Sequence, residues 1–114
     1  MKDIVEFLSN KKYIFKKLHP IDIKLLGSRK KIEIFEGIDT KSNYIAIFKV
    51  DQKSRFVTKN SKEIVSLLEK LIKLQQHNYK KRILLISSPL CSKAKKYLEE
   101  LKWKIYENRL KAEG

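Results

Sequence analysis

Lysine and arginine side chains are the residues of this sequence whose type and spacing most clearly suggest a chemical partner. Between Lys11 and Lys31 there are eight basic residues against one acid, and between Lys80 and Lys111 there are ten against three. The rest of the chain is neutral, so these two regions account for the formal net charge of +14. Concentrated positive charge repels itself, and an anionic polymer relieves that repulsion. The pattern therefore predicts binding to nucleic acid, either DNA or RNA.

The candidate phosphate-binding residues fall into two groups that follow the two basic regions. They are Lys11, Lys12, Lys16, Lys17, Arg29, Lys30 and Lys31 in the first group, and Lys80, Lys81, Arg82, Lys93, Lys95 and Lys96 in the second. Tyr13 and Tyr79 flank basic segments, where an aromatic ring either stacks on a base or closes the edge of a core. Because no sequence-reading motif is present, we expect contacts to phosphates without base recognition.

One cysteine, Cys91, and two histidines, His19 and His77, are the other candidates for site chemistry. A single thiol excludes a disulfide framework and a Cys-rich zinc site. Cys91 lies on the apolar stripe of a predicted helix, so we expect a buried, slowly reacting thiol. Its place in the first helical turn is the argument for the alternative, a reactive thiolate. The histidines lack the spacing of metal ligands and no acid accompanies them in the sequence pattern, so we assign neither to a site.

The composition also excludes several classes of protein. With three glycines, the chain has neither common phosphate-binding loop, and it has no nucleophile elbow. The first ten residues carry Asp3 and Glu6 and lack the apolar core of a signal peptide. The longest apolar segments are too short to cross a bilayer. Together with the free cysteine, these features favour a cytoplasmic protein without a membrane partner.

The spacing of apolar residues predicts elements in the order αβββαβαβ. The first helix covers Asp3–Leu8, and Ile14, Phe15 and Leu18 would extend it to His19-Pro20. The second helix begins at Asn60 with Glu63 as a capping box and ends at His77, and the third begins with Ser88 as N-cap and Pro89. The predicted strands are Ile21–Leu25, Lys31–Ile38, Tyr44–Val50, Ile83–Ile86 and Trp103–Tyr106. Arg55–Thr58 is a candidate short strand.

Together the predicted elements indicate an α/β fold, in the broad sense that includes α+β, with a mixed sheet and helices on both faces. The strand Tyr44–Val50 is apolar on both faces, which is typical of the middle of a covered sheet. The five residues 39–43 are turn formers and predict a hairpin. We expect one domain over residues 1–108 and a short basic tail over residues 109–114.

The order helix-strand-strand-strand-helix-strand, from about Asp3 to Ser88, resembles the core of the restriction-endonuclease-like, or PD-(D/E)XK, superfamily. That family has an acid on its second strand and an acid-x-Lys motif at its third. The resemblance implies that the acids hold a divalent ion, Mg²⁺ or Mn²⁺, and that the lysine activates or orients water. Asp51-Gln52-Lys53 matches the acid-x-Lys motif. The family's usual Glu position within the third strand is occupied by Lys49.

Strand register decides which acid would accompany Asp51. If Ile38 lies opposite Tyr44, Asp39 is roughly 23 Å from Asp51 at the far end of the hairpin. In the same register Asp51 faces Lys31, and Glu33 is a diagonal neighbour at roughly 7–8 Å. The candidate catalytic set is therefore Glu33, Asp51 and Lys53, with the two acids as metal ligands. The alternative is structural, because Glu33 lies opposite Lys49 and would form a cross-strand ion pair.

Three functions are compatible with these features. The sequence favours a basic nucleic-acid-binding module, a divergent nuclease-like domain that binds without base-specific readout and needs no cofactor. The first alternative is a metal-dependent nuclease that uses Glu33, Asp51 and Lys53 with Mg²⁺ or Mn²⁺. The second alternative is a protein-interaction subunit or a homodimer within a larger assembly.

Overall fold

A computed structural model describes residues 13–28, 30 and 32–107 of the chain. Within these residues a five-stranded sheet is accompanied by two α-helices and one short 3-10 helix over Ile23–Leu26. The strands are β1 (Phe15–Ile21), β2 (Ile32–Asp39), β3 (Tyr44–Val50), β4 (Lys81–Ile86) and β5 (Trp103–Glu107). The α-helices are α1 (Thr58–Gln75) and α2 (Ser92–Glu100). No helix in these residues is both long and apolar enough to cross a membrane.

The sheet is mixed, with the strands in sequential order from β1 to β5. The pairs β1–β2 and β2–β3 are antiparallel, and the pairs β3–β4 and β4–β5 are parallel. Ile38 lies opposite Tyr44 and Glu33 opposite Lys49, so the predicted hairpin register is confirmed. The strand β3 occupies the centre, and its residues Ile45 and Phe48, which face opposite sides, are both fully buried.

Both described α-helices pack on the same face of the sheet. Leu68 and Leu71 of α1 and Leu98 of α2 form one apolar cluster with Phe48 and Trp103, and the rings of Phe48 and Trp103 meet edge to face. A second cluster covers the opposite face, where Phe35, Ile47 and Ile83 are its buried centre. The predicted fold class, α/β with a mixed sheet, is confirmed. The helix predicted over Asp3–Leu8 lies outside the described residues, so the placement of helices on both faces stays a prediction.

The first strand differs from the prediction. Residues Phe15–Ile21 form β1, an edge strand, where the sequence pattern had extended a helix as far as His19. Proline is tolerated in an edge strand, so Pro20 does not end the element. The predicted strand Ile21–Leu25 is wrong because Asp22 accepts a hydrogen bond from the Lys24 backbone N–H at 3.0 Å and caps the 3-10 helix instead.

The two α-helices begin at other residues than predicted. Helix α1 begins at Thr58, and Asn60 lies inside its first turn, where its side chain accepts from the Val57 N–H at 2.8 Å. Helix α2 begins at Ser92 rather than at Ser88. The intervening backbone is instead paired with Phe56, whose N–H donates to Pro89 and whose carbonyl accepts from Cys91. In the described chain, the candidate strand Arg55–Thr58 is reduced to this one bridge at Phe56, because Thr58 already belongs to α1.

Candidate nucleic-acid interface

Three segments of the chain meet at one end of the sheet, around the β2–β3 hairpin. Lys17 of β1 lies opposite Ile38 of β2. On the other side, Lys81 of β4 lies beside Ile45 of β3, and the Lys80 N–H donates to the Tyr44 carbonyl at 2.9 Å. The starts of β1 and β4 are therefore both brought to the hairpin, although they are more than sixty residues apart in sequence.

Five exposed lysines lie at this end, which we call the hairpin end: Lys16, Lys17, Lys41, Lys80 and Lys81. Two shallow clefts adjoin the hairpin. One is lined by Lys41, Lys80 and Lys81 and has a volume of about 280 Å³, and the other is lined by Lys16 and Lys17 and has a volume of about 210 Å³. Lysines from both basic regions of the sequence thus lie at one end of the sheet, in clefts on its two faces. Lys41 was absent from the predicted set because it lies in the nearly neutral middle of the chain.

Asp39 is the acid of the hairpin loop, and its oxygens are directed at the loop backbone. Oδ1 accepts from the N–H groups of Lys41 and Asn43, each at 2.9 Å, and Oδ2 accepts from the Asn43 side chain at 3.3 Å. The backbone N–H of Asn43 is the main cause of the lowered pKa of Asp39, and the charge of Lys81 contributes. Asp39 therefore stabilises the loop that presents Lys41.

The predicted tyrosines close edges of the core rather than offering free faces to bases. Tyr79 is buried, and its hydroxyl donates to Glu36. The hydroxyls of Tyr13 and Tyr106 are hydrogen-bonded at 2.9 Å, and burial is the main cause of the raised pKa of Tyr13. The Lys81 ammonium group lies 5.6 Å from the centre of the Tyr13 ring. Of the two roles that the sequence left open, the structure favours the structural one.

Among the described basic candidates, Lys30 and the lysines of α2 lie away from the hairpin end. Helix α2 carries Lys93, Lys95 and Lys96 and begins near the opposite end of the sheet, where Lys95 forms an ion pair with Glu107 at 3.5 Å. Lys30 also lies away from the hairpin and is paired with Glu63 at 2.9 Å. Arg82 follows Lys81 and donates to the Asn78 side chain at 3.4 Å. The candidates outside the described residues are Lys11, Lys12, Arg29 and Lys31.

A buried carboxylate next to the hairpin end was not anticipated from the sequence. The side chain of Glu36 is 6% exposed. Its Oε1 lies 3.1 Å from Nε2 of His77 and accepts from the Gln75 side chain at 3.2 Å and from the Tyr79 hydroxyl. Its Oε2 lies 3.4 Å from Nε2 of His19. The expectation that both histidines are remote from acids is therefore wrong, because the register of β1 on β2 places His19 opposite Glu36.

The cluster of Glu36 is continuous with the hairpin end through Tyr44. The ring of His77 stacks on the ring of Tyr44, with centroids 3.6 Å apart. Tyr44 in turn lines the cleft that contains Lys16 and Lys17. Burying a carboxylate without hydrogen-bond donors costs free energy. This cost explains why several polar groups of the cluster contact the one side chain of Glu36.

Each acid of the predicted metal site has a close partner in the structure. The Glu33 carboxylate lies 3.6 Å from the Lys49 ammonium group, the ion pair that the register had offered as the alternative. Oδ1 of Asp51 accepts from the Ser87 hydroxyl at 2.8 Å, and Lys53 is exposed in a bend after β3. Within the described chain, no three side chains of the His, Cys, Asp and Glu types converge as metal ligands would. The catalytic role of Glu33, Asp51 and Lys53 stays a prediction.

Cys91 is the N-cap residue of α2 and is partly exposed, so the expectation of a buried thiol is wrong. The backbone N–H of Ala94, followed by that of Lys93, lowers the pKa of this thiol, and the charges of Arg55 and Lys93 act in the same direction. The helix begins later than predicted, so Cys91 lies at the helix terminus, where it is partly buried against the apolar core. This position favours the thiolate.

Comparison with solved structures identifies proteins of the same fold. The chain is similar to a repair endonuclease from Pyrococcus abyssi, with a TM-score of 0.58 and 21% identity over 94% of this chain and 44% of that one. It is also similar to EndoMS in its apo form, with a TM-score of 0.55, 18% identity and coverage of 94% and 45%. A structure of EndoMS with double-stranded DNA gives a TM-score of 0.54 at 18% identity, with coverage of 94% and 41%.

These likenesses agree with the nuclease-like fold expected from the order of elements. The chain spans less than half the length of the endonuclease chains to which it is similar. No protein-family model matches the sequence, and no curated protein matches it either. Membership of the PD-(D/E)XK superfamily therefore stays a prediction, and the comparisons establish the fold.

Proposed function

We propose that this chain is a nucleic-acid-binding module of nuclease-like fold that contacts phosphates through its hairpin end. The observation that carries the proposal is the convergence there of Lys16, Lys17, Lys41, Lys80 and Lys81. The ion pairs of Lys30, Lys49 and Lys95 lie elsewhere. Asp39, the acid of the hairpin loop, accepts hydrogen bonds from the backbone of its own loop. A surface of this kind attracts a polyanion strongly.

The binding mode follows from the chemistry of lysine. An ammonium group on a long flexible stem neutralises phosphates but does not read base edges as a planar bidentate group does. We therefore expect affinity with little dependence on base sequence. If the five lysines each neutralise one phosphate of a duplex, log affinity falls with log salt at a slope of about −4 to −5.

Charge-neutral substitutions at the hairpin end test this proposal. The double variant Lys80→Gln/Lys81→Gln should make the slope of log affinity against log salt less negative by about 2. It should also weaken binding of a short duplex more than tenfold in dilute salt. The control is Lys59→Gln/Lys62→Gln, which removes two exposed lysines from the first turns of α1, away from the hairpin. Fluorescence anisotropy across a salt series measures both. Equal losses in the two variants would show that net charge, rather than this surface, governs binding.

Binding is better supported than metal-dependent cleavage. Glu33 and Asp51 are engaged with Lys49 and Ser87, so the described side chains do not present an open pair of carboxylates to an ion. Lys49 adds a positive charge beside Glu33, which opposes metal binding. These residues do not fit a resident Mg²⁺ or Mn²⁺ ion as they lie, and we derive no reaction step from them.

A cleavage assay with Mg²⁺ or Mn²⁺ tests the nuclease alternative directly. We expect no metal-dependent cleavage of DNA or RNA by the wild-type chain. If cleavage is found, Asp51→Asn should abolish it and Glu33→Gln should reduce it strongly. Asp39→Asn should have little effect because its side chain is committed to the loop. Cleavage that needs Asp39 but not Glu33 would contradict this assignment.

A further inference from the structure

We infer that His19 and His77, as imidazolium ions, belong to the phosphate-binding surface of the hairpin end, and that Glu36 is the residue that positions them. This inference rests on the proposed function and extends it to a second set of contacts. It starts from the buried carboxylate of Glu36, which has no lysine or arginine nitrogen within 4 Å among the described residues. The two imidazoles are the groups there that can supply a compensating positive charge.

Both ring nitrogens of His77 face hydrogen-bond acceptors. Nε2 lies 3.1 Å from Oε1 of Glu36, and Nδ1 lies 3.0 Å from the carbonyl oxygen of Asn78. Both neighbours are hydrogen-bond acceptors, and a neutral imidazole carries one N–H and one lone pair. Only the imidazolium ion donates to both. His19 has one of its nitrogens facing Oε2 of Glu36, and its side chain is 49% exposed.

Both rings lie where a phosphate bound at the hairpin end would be within reach. His19 is two residues along β1 from Lys17, a spacing that places side chains on the same face of a strand. His77 stacks on Tyr44 of the cleft that contains Lys16 and Lys17, and its side chain is 24% exposed. The histidines thus adjoin the cleft of Lys16 and Lys17 on the face of the sheet that carries the helices.

Groups from every neighbouring element face this pair of histidines. Strand β2 contributes Glu36, β3 contributes the ring of Tyr44, and β1 carries Lys17 two residues from His19. Gln75 comes from the last turn of α1, and Tyr79 precedes β4. Burial, followed by the hydrogen bond to Glu36, raises the pKa of Tyr79, so this hydroxyl stays protonated. Histidine is the side-chain type whose charge ordinarily changes between about pH 5 and 8.

The experiment measures affinity for a thymidine oligonucleotide by fluorescence anisotropy at about pH 8 and about pH 6, at constant ionic strength. Thymine carries no group that titrates in this range, so a change in affinity with pH does not come from the bases. The wild-type chain should bind about threefold more tightly at the lower pH, the effect of one screened charge contact. The variant His19→Gln should lose part of this gain and His19→Gln/His77→Gln all of it.

The control variant Lys59→Gln removes one exposed charge at the other end of α1 and should keep the wild-type ratio between the two pH values. Melting temperatures of all variants establish that they are folded. An affinity that depends on salt and on Lys80 but not on pH would support the proposed function. It would overturn the inference about the histidines. A full pH response in the double histidine variant would also overturn it. Absence of binding at both pH values would refute the proposed function itself.

Discussion

Single residues of this chain take their roles from partners that are distant in sequence. Glu36 contacts His19 on one side and His77 on the other, and it lies at no helical or strand spacing from either histidine in the sequence. The contact with His19 depends on the pairing of β1 with β2, and that with His77 depends on where α1 ends. The sequence therefore could not predict the cluster. The single Glu in the apolar strand segment Ile34–Ile38 did indicate a buried carboxylate that needs partners.

Cys91 provides a test at the residue scale. Because backbone N–H groups of α2 lower the pKa of its thiol in the folded chain, the folded protein holds more thiolate at pH 7 than the unfolded chain does. Alkylation of the native protein should therefore rise with pH to a midpoint below 9.0, the ordinary value for this group. In urea the midpoint should move upward. A native midpoint at or above that of the unfolded chain would contradict the position given to Cys91.

At the scale of elements, the sequence predicted the centre of the fold better than its edge. The hairpin register of β2 and β3 followed from turn formers and alternating apolar residues, and Ile38 opposite Tyr44 confirms it. The edge strand β1 was missed because its half-buried residues Phe15, Leu18 and Ile21 recur at every third position, as in a helix, and a bulge between Phe15 and Lys17 breaks the alternation of a strand. Gly37 permits this strand to pack closely, since an added Cβ would lie 2.6 Å from the Phe15 ring.

The apolar face of α1 is tested by Leu68, whose exposed fraction is 3%. Its side chain lies in the cluster that joins both helices to the sheet. Truncation in such a site removes buried apolar surface and leaves a cavity, so Leu68→Ala should lower the free energy of unfolding by about 2–5 kcal/mol. Urea denaturation measures the change, and the exposed neighbour Glu69→Ala is the matched control. A loss below about 1 kcal/mol would mean that α1 does not pack as described.

At the scale of the whole molecule, topology explains why lysines of two basic regions lie at one end of the sheet. The strand β4 is parallel to β3, so its first residues lie beside Tyr44 at the hairpin, and antiparallel β1 begins at the same end. The sequence predicted the two regions and their partner class but could not show that Lys80 and Lys81 join Lys17 while Lys93 does not. The division into a domain over residues 1–108 and a tail over 109–114 stays a prediction, as does a protein partner or homodimer.

The most direct test of the proposed interface is a nuclear magnetic resonance titration of the ¹⁵N-labelled chain with a short DNA duplex. We predict that the amide signals that shift first, and return in high salt, belong to Lys16, Lys17, residues 39–44, Lys80 and Lys81. Signals of Lys93 and Lys96, exposed on α2, should move little. Shifts that cluster on α2 and around Arg55, with the hairpin end unaffected, would contradict the account.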